Sequence, residues 1–142
     1  MDTTTVETIS LNVARELIMA AERKAEELEV LMNIAVVSHE GNLIAFEKMD
    51  GAWLASVDIA ISKAFTAASL QTATADLAEA VQPNQSLYGL NTTNDGRLVV
   101  FGGGIPLVRD GTVVGAIGVS GSTVADDIAV AQAGADAFGS DE

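Results

Sequence analysis

The sequence predicts an α+β fold, a single domain in which an antiparallel sheet of about five strands is covered by helices, and three observations lead there. The hydrophobic periodicity alternates between helical and strand spacing in the order helix, hairpin, two helices, hairpin, helix. Asp110-Gly111, between Ile105–Val108 and Val113-Val114, is a hairpin signal, because a tight turn needs positive φ and tolerates Asp followed by Gly. Finally, 142 residues with 49% hydrophobic content suffice for one compact core and require no second domain.

The elements follow in chain order. Ser10 has the chemistry of an N-cap, and Leu11, Ala14, Ile18, Ala21, Ala25 and Leu28 then recur on one face of a helix of about five turns. Asn33 to Val37 and Leu43 to Glu47 are short apolar runs flanking Ser38-His39-Glu40-Gly41-Asn42, which reads as a hairpin with a glycine-containing loop. Asp50 is expected to cap the next helix, whose apolar stripe is Leu54, Val57, Ile61, Ala64, Phe65 and Ala68. Thr74 to Val81 reads as a short helix stopped by Pro83, and Asn84 to Gly96 as a loop long enough to suggest function. Arg97 to Phe101 is expected to add a strand. After the Asp110-Gly111 hairpin, Gly115, Gly118 and Gly121 punctuate the last strand, which implies close approach of a helix, a ligand or another backbone. Thr123 with Asp126 resembles a capping box, and Ile128, Ala131, Ala135 and Phe138 share a face of the closing helix, which ends at Gly139.

Seven basic against twenty acidic residues leave a formal charge of −13, which repels nucleic acid and anionic membrane surfaces, so neither is an expected partner. Such acidity suits both life at high salt and ordinary solubility. With no cysteine there is no disulfide, thiolate nucleophile or sulfur metal ligand. MDTTTVETIS lacks a signal-peptide pattern and no apolar run reaches the ~18 residues of a membrane span, so a soluble, cytoplasmic protein is expected.

Gly102-Gly103-Gly104 resembles a phosphate cradle, but Ile105-Pro106 follows where a P-loop needs Lys-Ser or Lys-Thr, and Leu107 stands where a dinucleotide fingerprint needs its third glycine. The glycines read instead as a tight bend or bulge, with Pro106 at an edge position, or as a backbone surface for a ligand. Gly118-Val119-Ser120-Gly121-Ser122 falls short of a nucleophile elbow at its last position. His39 is the one imidazole open to a metal or a proton transfer, set against a solvated turn residue. Asp126-Asp127 suit the positive end of a helix dipole. Glu22, Glu26 and Glu27 could hold a hard cation but read equally as a solvated face. Asp58 and Lys63 are not at salt-bridge spacing and receive no role. Trp53 and Tyr88 could line an apolar pocket or pack in the core or an interface.

The succession Met49-Asp50-Gly51-Ala52, Asp58-Ile59-Ala60, Lys63-Ala64, Phe101-Gly102-Gly103-Gly104-Ile105-Pro106, Val114-Gly115-Ala116-Ile117-Gly118-Val119-Ser120-Gly121 and Asp127, over nearly the whole chain, resembles the GlcG/HbpS family. The resemblance implies a haem-binding or haem-degrading domain, found also as the C-terminal domain of PduO-type adenosyltransferases, that self-associates from dimers to octamers. A haem iron takes an axial His, Met, Tyr or Cys. The chain offers one His, four Met and one Tyr, so the implied ligand set is His39, Met49 or Tyr88, and bis-histidine ligation within one subunit is impossible. The implied pocket lies between the bend Phe101, Gly102, Gly103, Gly104 and Pro106, the Met49-Asp50 turn, and the loop around Tyr88. Two other readings stay open: a non-catalytic oligomeric accessory protein without haem, and a small-molecule enzyme using the glycine-rich pocket. Whether the chain is an enzyme is left undecided.

Overall fold

The computed structural model describes residues 1–139. These hold three α-helices and a four-stranded antiparallel sheet: α1 (Leu11–Glu27), β1 (Asn33–Ser38), β2 (Leu43–Lys48), α2 (Ala55–Leu70), β3 (Gly104–Arg109), β4 (Thr112–Ser120) and α3 (Val124–Gly139), with strand order β2-β1-β4-β3. Helices α1 and α3 cover one face of the sheet, where Leu17, Ile18, Ile34, Ile117, Val130 and Phe138 form the main core. Helix α2 covers the other, burying Ala60, Ala64 and Ala67 against Ala35, Val37 and Ala116. Two predicted caps are present: Ser10 accepts from the Val13 N–H at 3.2 Å, and Thr123 Oγ1 from the Asp126 N–H at 3.1 Å.

Four expectations are corrected. Arg97 to Phe101 forms no strand, because its backbone is bound to a helix: the Thr66 hydroxyl accepts from the Val99 N–H at 3.0 Å and lies 3.4 Å from the Arg97 carbonyl. Thr74 to Val81 contains one 3₁₀ turn, Thr74–Leu77, in place of a helix. Asp50 caps nothing: α2 begins at Ala55 after the N-cap Leu54, with no side-chain cap. The buried face of α2 is Ser56, Ala60, Lys63, Ala64, Thr66, Ala67 and Ala68, whereas Leu54 is 80% exposed. Small side chains face the sheet because the two backbones meet. A Cβ at Gly118 would stand 2.2 Å from the Ala60 carbonyl oxygen. The three glycines of β4 and its exit are thus explained by the close approach of backbone: Gly115 to Val37, Gly118 to α2 and Gly121 to Leu31.

Candidate functional site

Register fixes what lies together. Asn33 pairs with Lys48 on one side and with Ser120 on the other, so Met49, Asn33, Gly121 and the bend before β3 share one end of the sheet. His39 follows the opposite end of β1, roughly 17 Å away at ~3.3 Å per residue. The structure therefore separates His39 from Met49 and from the Phe101–Gly104 bend, whereas Pro106, opposite Ala116 and so level with Val37, lies nearer the His39 end.

At the shared end, the Phe101–Gly104 bend rests on Lys63, a residue whose sequence spacing suggests no role. Lys63 is completely buried. Its ammonium donates to the Val119 carbonyl at 2.9 Å and to Asp127 Oδ2 at 2.9 Å, and it lies 5.0 Å from the centroid of the Phe101 ring. Asp127 Oδ1 accepts from the Ser122 N–H at 3.1 Å. The Asp126-Asp127 pair thus divides its labour: Asp126 accepts from the Ser122 hydroxyl at 2.8 Å at the helix start, and Asp127 turns inward as a counter-ion. The lysine joins α2 to α3 past the end of the sheet through space that Gly103 leaves. A Cβ there, at φ +129°, would stand 2.6 Å from Lys63 Nζ. Burial pushes the Lys63 ammonium below the usual lysine range and the Asp127 carboxyl above the usual carboxylate range, each opposed by the hydrogen bond and charge of the other. The pair was invisible to periodicity because its partners lie 64 residues apart; the coincidence of Lys63, Gly103 and Asp127 in the resemblance was the one available signal.

The other bend residues are packed. Gly102 leaves room for Ile128 and Gly104 for the Lys63 carbonyl, while the Gly104 N–H donates to Thr74 Oγ1 at 2.9 Å. Pro106 lies within edge strand β3, opposite Ala116. Phe101 is 43% exposed and Tyr88 69% exposed. Met49 is partly buried, its sulfur accepting from the Met32 N–H at 3.4 Å. His39 is partly exposed, with Nδ1 2.7 Å from the Val113 carbonyl. Among the described residues no three His, Asp or Glu converge as a metal site, and no helix is long and apolar enough to cross a membrane.

A concavity of about 550 Å³ runs between α1 and β2, lined among others by Leu11, Arg15, Ile18, Met19, Ile44 and Glu47. One Glu47 oxygen is buried without a partner. Desolvation, then Glu22 and Glu26, raise this carboxyl above its usual range. A raised folded-state pKa means stability is present below the unfolded pKa and lost as pH rises through the folded one. Glu47→Gln is therefore expected to stabilise the fold at neutral pH by about 0.2–0.5 kcal/mol, the size of a like-charge contact, and to change nothing in acid. Thermal melts at the two pH values check this, and equal shifts at both would remove the electrostatic account.

The Haem degrading protein HbpS-like family matches residues 9–136. The chain is 44% identical over 133 residues to an uncharacterised 15.0 kDa protein of the dhaT-dhaS intergenic region of Citrobacter freundii, covering 94% of each. It is similar to the Klebsiella pneumoniae protein ORFY, at 43% identity and TM-score 0.95 over 98% of this chain and 97% of that one. It is similar also to PduOC in a crystallised haem complex, at 37% identity and TM-score 0.88 over 92% and 94%. With matches at this identity and coverage, and with a sheet and helices that superpose end to end, the chain belongs to the HbpS-like family.

Proposed function

We propose that this protein binds haem through His39. The observation that carries the reading is the contact between Nδ1 and the Val113 carbonyl. A carbonyl can only accept, so Nδ1 is the nitrogen that carries the proton and donates, which makes Nε2 the nitrogen through which the neutral ring would ligate iron. The ring is held by backbone and remains partly exposed. Membership in a family with a crystallised PduOC haem complex supports the cofactor. Other side chains able to donate to iron are Tyr88, a hard oxygen donor exposed on its loop, and Met19, a soft thioether 50% exposed beside Arg15, whose guanidinium suits a propionate. Met49 is the weaker donor, since its sulfur already accepts a hydrogen bond. A haem titration followed by absorbance on wild type, His39→Ala, Met19→Ala and Tyr88→Phe tests the assignment. The expected result is saturable binding lost in His39→Ala. Binding retained in that variant overturns His39 as the ligand, and no saturable site in wild type overturns haem binding.

With one imidazole per chain, ligation by two histidines requires a second copy. Leu31, Trp53 and Leu54, at 48%, 65% and 80% exposure, form an apolar surface of the kind that protein interfaces cover, and it supports homo-oligomer formation with or without haem. Trp53→Ser with Leu54→Ser is expected to lower the mass measured by sedimentation; a wild type already monomeric at micromolar concentration would sink the reading.

A further inference from the structure

We propose that the concavity between α1 and β2 is a binding site for zwitterionic aliphatic amines, whose ammonium meets Glu47 and whose carboxylate meets Arg15 across a hydrocarbon stem. Both charged side chains line the cavity, and Ile18, Met19 and Ile44 give it an apolar wall. A few polar groups on such a wall, around a volume of about 550 Å³, make up a small-molecule site. The two charges stand at different ends. Glu47 feels the carboxylates of Glu22 and Glu26, which lie two and three turns beyond Arg15 on the same face of α1, roughly 10 and 16 Å along its axis. Among the described residues no cation forms an ion pair with Glu47, and one of its oxygens is buried without a hydrogen-bond partner.

A carboxyl group in this state lacks both a donor and a positive charge, and an ammonium supplies the two together. The last torsion of a glutamate side chain is soft, so the carboxyl turns toward an occupant without any movement of β2. Arg15 also makes no ion pair among the described residues, and its planar guanidinium matches a carboxylate with two parallel hydrogen bonds. Charge fixes the direction in which the ligand lies: Glu22 and Glu26 add attraction for an ammonium at one end, and Arg15 repels it from the other. A diamine would bring its second ammonium against Arg15, and a fatty acid would leave Glu47 unpaired beside an alkyl end. The class is thereby narrowed to compounds with one charge of each sign.

The test is calorimetric titration of the purified protein with 6-aminohexanoate, hexylamine and hexanoate, three probes that share a stem and differ in their charged ends. The expected result is saturable binding of 6-aminohexanoate, tighter than that of either singly charged probe. Its affinity is expected to fall about tenfold or more in Glu47→Gln and again in Arg15→Gln, the loss of one hydrogen-bonded charge in each case. Glu47→Gln keeps the size of a partly exposed side chain, so the fold is retained in the variant that matters most. Unchanged affinity in Glu47→Gln would overturn the proposal. So would hexylamine or hexanoate binding as tightly as 6-aminohexanoate, or the lack of any saturable binding to wild type. His39→Ala is expected to leave this titration unaltered, which separates a failure of the amine site from a failure of haem ligation.

Discussion

Lys63→Met is expected to cost roughly 3–5 kcal/mol of folding stability, the loss found when one member of a buried ion pair is removed. Methionine has nearly the shape of lysine, so the packing around α2 is kept and the charge alone is lost. Asp127 is then left 3% exposed, without its cation and with only backbone hydrogen bonds. Against a typical total of about 5–15 kcal/mol this is a large share. Adding Asp127→Asn removes the stranded charge while an amide oxygen still accepts from the Ser122 N–H. The double variant is therefore expected to recover at least half of the loss, because much of the single variant's cost is the desolvated carboxylate and not the absent contact. Urea unfolding of the wild type, the two single variants and the double variant measures the coupling. Additive effects would show that Lys63 and Asp127 act separately and that the joining of α2 to α3 rests on packing alone.

The legibility of this fold in its sequence divides along the distance over which each signal acts. Ser10, Thr123 and the Asp110-Gly111 turn act within a few residues, and each does in the structure what its chemistry implies. Strand periodicity placed β1, β2 and β4 within a residue or two for the same reason. Arg97 to Phe101 went astray because Thr66, more than thirty residues earlier, satisfies its backbone. The stripe assigned to α2 failed differently. Size and hydrophobicity mark the buried face of most helices, but where a helix lies against a sheet at backbone contact the buried residues are the small ones, and Leu54 is left outside. Of the site, the glycine bend was visible as a motif, yet its occupant was not: a lysine at helical spacing looks like any solvated cation until its partner on α3 is known. His39 was legible as a unique residue. Its tautomer was not, since that depends on a carbonyl 74 residues away.

The same contact between α2 and β4 makes Gly118 the position where one added methyl group should do most harm. A Cβ at Gly118 would stand 2.2 Å from the Ala60 carbonyl oxygen and 2.5 Å from the Ala64 nitrogen, both backbone atoms of one helix that cannot rotate away. Relief requires moving α2 off the sheet. That motion would open the packing of Ala60 and Ala64 and lengthen the reach of Lys63, one residue away, to Val119 and Asp127. Gly118→Ala is expected to cost about 3 kcal/mol, the upper part of the range for overpacking a core. Gly111→Ala provides the contrast. It has nothing within 4 Å of its added Cβ and carries only the strain of φ +77°, so about 1 kcal/mol is expected there. If instead the two substitutions cost the same in urea unfolding, the spacing between α2 and the sheet would be adjustable. The run of alanines on α2 would then reflect helix propensity and not the need for two backbones to touch.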